Sequence, residues 1–209
     1  MEKVHIHMRF DEPVLGTSPA DPDIYRRYIA SKSEDATKIE EEVASLGVDA
    51  VAERGMTVFP RLDDGRPFIW DYHVKGFMKD ACGMLRRADD GASKKLRAYK
   101  KEIDGLIFPS PRKIPYMVPE DGEIGIVERP LRASTPQGDR VALTASETLP
   151  VGTTLDFDVS MLTSSHMKYL VEWFSYGQLR GFGQWRNASY GRFHCTITDE
   201  SGKVIFSNE

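Results

Sequence analysis

Between Lys3 and Phe10 the chain alternates without a break: Val4, Ile6, Met8 and Phe10 fall on one side, and Lys3, His5, His7 and Arg9 on the other. A period of two matches the pleat of a β-strand, so this segment reads as a strand with one face buried and one face wet. A chain that starts this way must supply further strands beside it and a layer to cover its apolar side.

The rest of the sequence provides both. Turn signals at Glu12-Pro13 and Gly16 to Pro19 end the first strand, and Asp21-Pro22 opens a short helix through Ile24, Tyr25, Tyr28 and Ile29. An acidic helix is expected from about Ala36 to Leu46, stopping at Gly47. After an extended Met56 to Pro60 and a turn at Asp63-Asp64-Gly65, the spacing of Phe77, Ala81, Met84 and Leu85 describes one face of a helix. A hairpin is expected over Arg140 to Met161, turning at Pro150-Val151-Gly152, and a helix through Met167, Leu170, Val171 and Phe174 should end near Gly177. A glycine-rich stretch, a strand over Arg192 to Thr198 and a short strand at Val204 to Phe206 complete the chain. Without the decorations the order is βαββαβ, which predicts an α+β, ferredoxin-like core with helical and loop insertions. The whole of 1–209 reads as one domain, with a helical insertion at 11–55 and a basic, proline-rich one at 89–139.

Length and charge narrow the function classes. A chain of 209 residues holds one sizeable core. Nothing approaches eighteen consecutive apolar residues, so no membrane partner is expected, and the alternating start is unlike a secretory leader. Cys82 and Cys195 lack the spacing of a metal or disulfide framework, and a reducing cytoplasm is the simpler expectation. No P-loop, zinc spacing or Ser/His/Asp order stands out, so neither a cofactor nor a metal is expected. The net charge of −4 argues against indiscriminate polyanion binding, but its distribution is uneven. Glu34, Asp35, Glu40, Glu41 and Glu42 crowd the first third, whereas Lys75 to Lys101 is strongly basic. A solvated surface accounts for such a run; so does one cationic face.

Three segments carry candidate chemistry. In Asp63 to Ala81, Lys75-Gly76 followed by Lys79 offers close backbone approach and positive charge at the start of a helix. Thr148 to Phe157 holds the Pro150-Val151-Gly152-Thr153 turn. In Gln178 to Phe193, glycines Gly181 and Gly183 interleave with Arg180, Arg186 and Arg192 and with Phe182, Trp185 and Tyr190, a composition suited to phosphates and stacked bases. A dinucleotide fingerprint fails there, because the third glycine is absent and a helix precedes the run. These three segments, in this order, resemble those of the Cas7-type RAMP superfamily of RNA-binding proteins, whose core is RRM-like; similar small phage and prophage proteins exist. The resemblance covers the first strand and most of 56–88 and 140–198.

What the resemblance implies is a subunit that binds single-stranded RNA or DNA, self-associates along a strand and does no chemistry of its own. Its contacts would be Lys75, Gly76, Lys79, Arg86, Arg180, Gly181, Gly183, Trp185, Arg186 and Arg192. A mobile-element origin raises an alternative, an inhibitor that docks on a CRISPR or other host nucleoprotein complex. A third alternative is a Cas6-like endoribonuclease, for which His73 beside Lys75-Gly76 is the candidate base; His5, His7, His166 and His194 are the other histidines. A nuclease aspartate could be Asp11, Asp21, Asp23 or Asp49, none of which sits in a matching motif.

Overall fold

The computed structural model describes residues 1–20, 56–135 and 138–209, with backbone alone for 131–135 and 138–143. The alternation at the amino end is strand β1 (Glu2–Phe10), and Val4, Ile6, Met8 and Phe10 are buried. β1 lies between β10 (Thr154–Met161) and β11 (Phe193–Asp199), antiparallel to both. Beyond β10 come β6 (Ile107–Ser110) and β7 (Lys113–Met117), and then β5 (Phe68–Trp70) against β7. β12 (Val204–Ser207) extends the other side of the sheet.

Helix α1 (Asp71–Leu85) buries Val74, Phe77, Met78, Ala81 and Cys82, an i, i+3, i+4, i+7, i+8 stripe. Helix α3 (Met167–Arg180) buries Leu170, Trp173, Phe174 and Gly177. These stripes join the apolar side of the sheet in one core, in which Phe193 meets the rings of Phe10, Phe77 and Phe174. A short helix α2 (Tyr99–Leu106) precedes β6. Read as β1-α1-β6/β7-β10-α3-β11, with β10 and β11 flanking β1, the core is the expected ferredoxin-like βαββαβ.

Three local expectations are corrected. The two arms of Arg140 to Met161 do not pair with each other. β9 (Gly138–Leu149) pairs along its length with β8 (Gly125–Thr135) in a second sheet, where β2 (Val14–Leu15), β3 (Ser18–Pro19) and β4 (Thr57–Val58) join them. The second core strand comes instead from 107–117, inside the stretch read as a basic, proline-rich insertion. Alternating apolar residues show that a segment is a strand but not which strand it pairs with. Secondly, α1 begins at Asp71, six residues before Phe77, so Gly76 sits within the helix. Thirdly, α3 runs past Gly177 to a cap at Gly181 with φ of 78°. Gly177 is a packing glycine: a Cβ there would collide with the Phe193 ring. The two helices expected between Asp21 and Gly47 lie outside the described residues.

Candidate nucleic-acid interface

The first turns of α1 and the glycine-rich loop after α3 meet. A cleft of about 340 Å³ is lined by Tyr72, His73, Gly76 and Phe77 from α1, by Phe182, Gly183 and Arg186 from the loop, and by Thr17 and Ile69. Three of the expected binding residues, Gly76, Gly183 and Arg186, therefore share one site, together with His73. Nothing among the described residues lies within 4 Å of a Cβ built on Gly76, so this glycine leaves bare helix facing open space. The amino terminus of α1 is not open in the same way. Its Tyr72 amide donates to the Asp71 carboxylate at 2.8 Å, and burial pushes that carboxyl above its ordinary range.

The loop is held in place from several directions. Phe182 is buried against Phe10 and Phe77, its amide donates to the Gly191 carbonyl at 2.8 Å, and the Gly191 amide donates to the Pro13 carbonyl at 2.9 Å. A Cβ on Gly191 would strike the Phe182 carbonyl, and one on Gly181 would strike the Tyr190 carbonyl, so both positions demand glycine. Gln184 pegs the loop to the second sheet. Its amide nitrogen donates to the Gly16 carbonyl, to Thr57 Oγ1 at 2.7 Å and to Ser146 Oγ at 3.3 Å, while its Oε1 accepts from Arg129 at 2.9 Å. The sequence carries no signal for this role.

The arginines are less exposed to a ligand than their spacing suggests. Arg180 and Arg186 both bond Asp80 of α1, through Nε at 3.0 Å and Nη1 at 2.6 Å respectively, and Arg180 also donates to Asn187. The Asp80 bond, ahead of its charge, raises the Arg180 pKa. One carboxylate between two guanidinium groups leaves a net positive charge at the edge of the cleft. The lysines point elsewhere. Lys75 donates to the Asp104 carbonyl at 2.9 Å and lies 4.7 Å over the Phe108 ring, while Lys79 pairs with the Asp104 carboxylate. Arg86 covers Tyr99 at 5.1 Å, and Arg192 gives its backbone carbonyl to Asp11 and Glu12. None of the lysines between Lys75 and Lys101 thus lines the cleft with Arg186.

Trp185 remains 40% exposed but already stacks on Tyr190, with centroids 5.0 Å apart and planes 16° from parallel. The Arg129 guanidinium lies 4.7 Å over the same indole. Arg129 is a residue that the sequence did not single out. It is 6% exposed and has no carboxylate partner among the described residues; burial lowers its pKa.

The other histidines are bonded to carboxylates: His5 to Asp158 and Asp156, His7 to Asp156, His166 to Glu102 and His194 to Asp11. Asp11 is thus engaged, and Asp21, Asp23 and Asp49 lie outside the described residues. Lys3, His5 and His7 stand on the uncovered face of the sheet, opposite Asp156 and Asp158. Among the described residues no group of His, Cys, Asp and Glu is arranged to hold a metal ion, and no helix is long and apolar enough to cross a membrane.

No family model matches the sequence, and no curated protein is similar to it in sequence. The fold, however, is similar to that of chains in solved CRISPR assemblies. One is from a type III-B Cmr-beta bound to cognate target RNA, with a TM-score of 0.50 and 12% identity, covering 99% of this chain and 60% of that one. Another is from a type IV-B CRISPR complex, with a TM-score of 0.52 and 11% identity, covering 96% of this chain and 92% of that one. At such identities the likeness is one of fold: this chain is built like subunits of CRISPR complexes.

Proposed function

We propose that this protein binds single-stranded nucleic acid, RNA in the first instance, without cutting it, as a Cas7-like subunit or partner of a CRISPR-type nucleoprotein assembly. The observation that carries the reading is the cleft itself. It brings a bare stretch of helix at Gly76, a positive-φ glycine at Gly183 and a guanidinium at Arg186 to one place, in a chain whose fold is similar to that of a chain from a CRISPR complex bound to its target RNA. A phosphodiester backbone needs this combination of close approach and fixed positive charge. Arg186, pre-set by Asp80, is the phosphate contact; Gly76 is the surface against which the strand lies.

Fluorescence anisotropy with labelled single-stranded RNA and DNA, at about 50 mM and about 200 mM salt, tests this, because phosphate contacts weaken steeply with salt. Arg186→Ala should weaken binding by at least about tenfold, the cost of roughly one charge-assisted hydrogen bond, and Gly76→Leu should weaken it by filling the open face of the helix. No binding at the lower salt, or full binding by both variants, rejects the reading. Labelled RNA recovered intact after incubation with wild type supports binding over cleavage; cleavage that His73→Ala abolishes would reassign the cleft to an endoribonuclease.

A further inference from the structure

The basic stretch beyond α1, left over from the cleft, is a built surface of its own. Residues 92–95 form a 3₁₀ turn held from below by α3. The Glu172 carboxylate accepts from the Ala92 amide at 2.7 Å, from the Ser93 amide at 2.9 Å and from the Ser93 hydroxyl, and Trp173 Nε1 donates to that hydroxyl at 2.8 Å. Ser93 and Leu96 are buried. With these two residues inward, Lys94, Lys95 and Arg97 point to solvent, and Arg87, Lys100 and Lys101 are exposed beside them.

Among the described residues, the charges of this surface are largely uncompensated. Lys94 pairs with Asp89 at 2.8 Å, and Asp90 is the other exposed acid in the connector. Glu102 is turned to His166 and Asp104 to Lys79. Arg87, Lys95, Arg97, Lys100 and Lys101 have no ion-pair partner among the described residues. Lys100 and Lys101 moreover stand in the first turn of α2, where the helix dipole already favours an anion. The connector leaves the carboxy-terminal end of α1, whereas the cleft is at its amino-terminal end. At 1.5 Å per residue, Tyr72 and Leu85 are about 20 Å apart along the axis.

We infer that residues 87–101 form a second, separable phosphate-binding surface, one that grips the backbone of a strand too long for the cleft alone. The partner is a nucleic-acid strand, and the inference rests on the proposed reading of the cleft. Glu172 acts as a positioning residue that holds the connector on α3.

The test uses the full chain carrying Lys95→Ala, Arg97→Ala, Lys100→Ala and Lys101→Ala together, all exposed positions, so that folding is expected to persist; circular dichroism checks this. Anisotropy is measured with single-stranded RNAs of about 4 and about 20 nucleotides, chosen because stacked nucleotides advance about 3.4 Å each. The longer RNA should bind at least about tenfold more weakly, and the slope of log K against log salt should fall by about 0.7 for each phosphate no longer neutralised, while the shorter RNA binds as before. Unchanged affinity and slope on the longer RNA overturn the inference; if Arg186→Ala still weakens binding in the same assay, the reading of the cleft stands. Equal losses on both lengths also overturn it, because the two surfaces would then be one. Displacement of the longer RNA by poly-glutamate more readily than by unlabelled RNA would overturn the partner class, and wild type binding neither RNA removes both proposals.

Discussion

Gly177→Ala is a demanding probe, because two effects of known size oppose each other in it. In a helix interior alanine is favoured over glycine by about 1 kcal/mol, so propensity alone predicts stabilisation. A Cβ at 177, however, would overlap the outer edge of the Phe193 ring, at Cζ and both Cε atoms. That ring cannot retreat easily: Phe77, Phe10 and Phe174 surround it with centroids at 5.5, 5.9 and 6.2 Å. Overpacking a close-packed core costs roughly 1–3 kcal/mol, and this rigid aromatic setting belongs at the upper end. The net expectation is a loss of about 2 kcal/mol, or about 4–8 °C in Tm for a chain of this size. Thermal and urea unfolding followed by circular dichroism measure it. The double variant with Phe193→Leu should recover part of the loss relative to the sum of the single changes, giving a coupling above about 1 kcal/mol. A Gly177→Ala protein as stable as wild type, or more stable, would refute the reasoning and return Gly177 to the role of a mere helix-end signal. Because Phe182 packs on the same Phe10 and Phe77 rings, the variant should also loosen the glycine-rich loop and weaken RNA binding.

Gly76→Ala should do the reverse for stability, raising it by about 0.5–1 kcal/mol in urea unfolding, since its Cβ meets open space on a helix. Gln184→Ala removes the hydrogen bonds that join the loop to the second sheet and leaves buried Arg129 with no side-chain bond among the described residues; unfolding experiments should read a loss of about 2–3 kcal/mol. The Asp158 carboxyl is held below its ordinary range, first by the hydrogen bond from Lys3. Such a group contributes above its unfolded pKa, near 3.9, and loses that contribution as pH falls through the lowered folded value. Asp158→Asn should therefore cost less than about 1 kcal/mol at pH 7, given the exposed pair, and the difference from wild type should vanish once the pH has fallen below the lowered folded value. Cys82 and Cys195 are buried free thiols, and burial raises both, Cys195 to about 12. Ellman's reagent should label them only at the rate of unfolding, and fast labelling of native protein would contradict the packing.

The sequence by itself determined the parts whose pattern is local. The alternation of β1 and the apolar spacing from Phe77 onward both depend on a repeat of two or 3.6 residues, and the solvent each face meets selects them directly, although the helix starts a turn and a half earlier than that spacing shows. The βαββαβ order followed from the same local chemistry, and Gly76, Gly183 and Arg186, singled out by residue type, line one cleft. Tertiary structure alone decided what each element meets. β9 carries an alternation that suits several neighbours, and only the long β8 ladder shows that it left the central sheet for the second one. Gly177 resembles a stop signal until Phe193, sixteen residues on, is seen to need its missing Cβ. Asp80 draws Arg180 and Arg186 from a hundred residues away, Asp104 takes Lys75 and Lys79, and Gln184 binds four groups scattered from Gly16 to Ser146. Charge and hydrogen-bonding capacity are properties of a residue, but whether they are spent inside the molecule or left for a ligand depends on distances that the linear order does not encode.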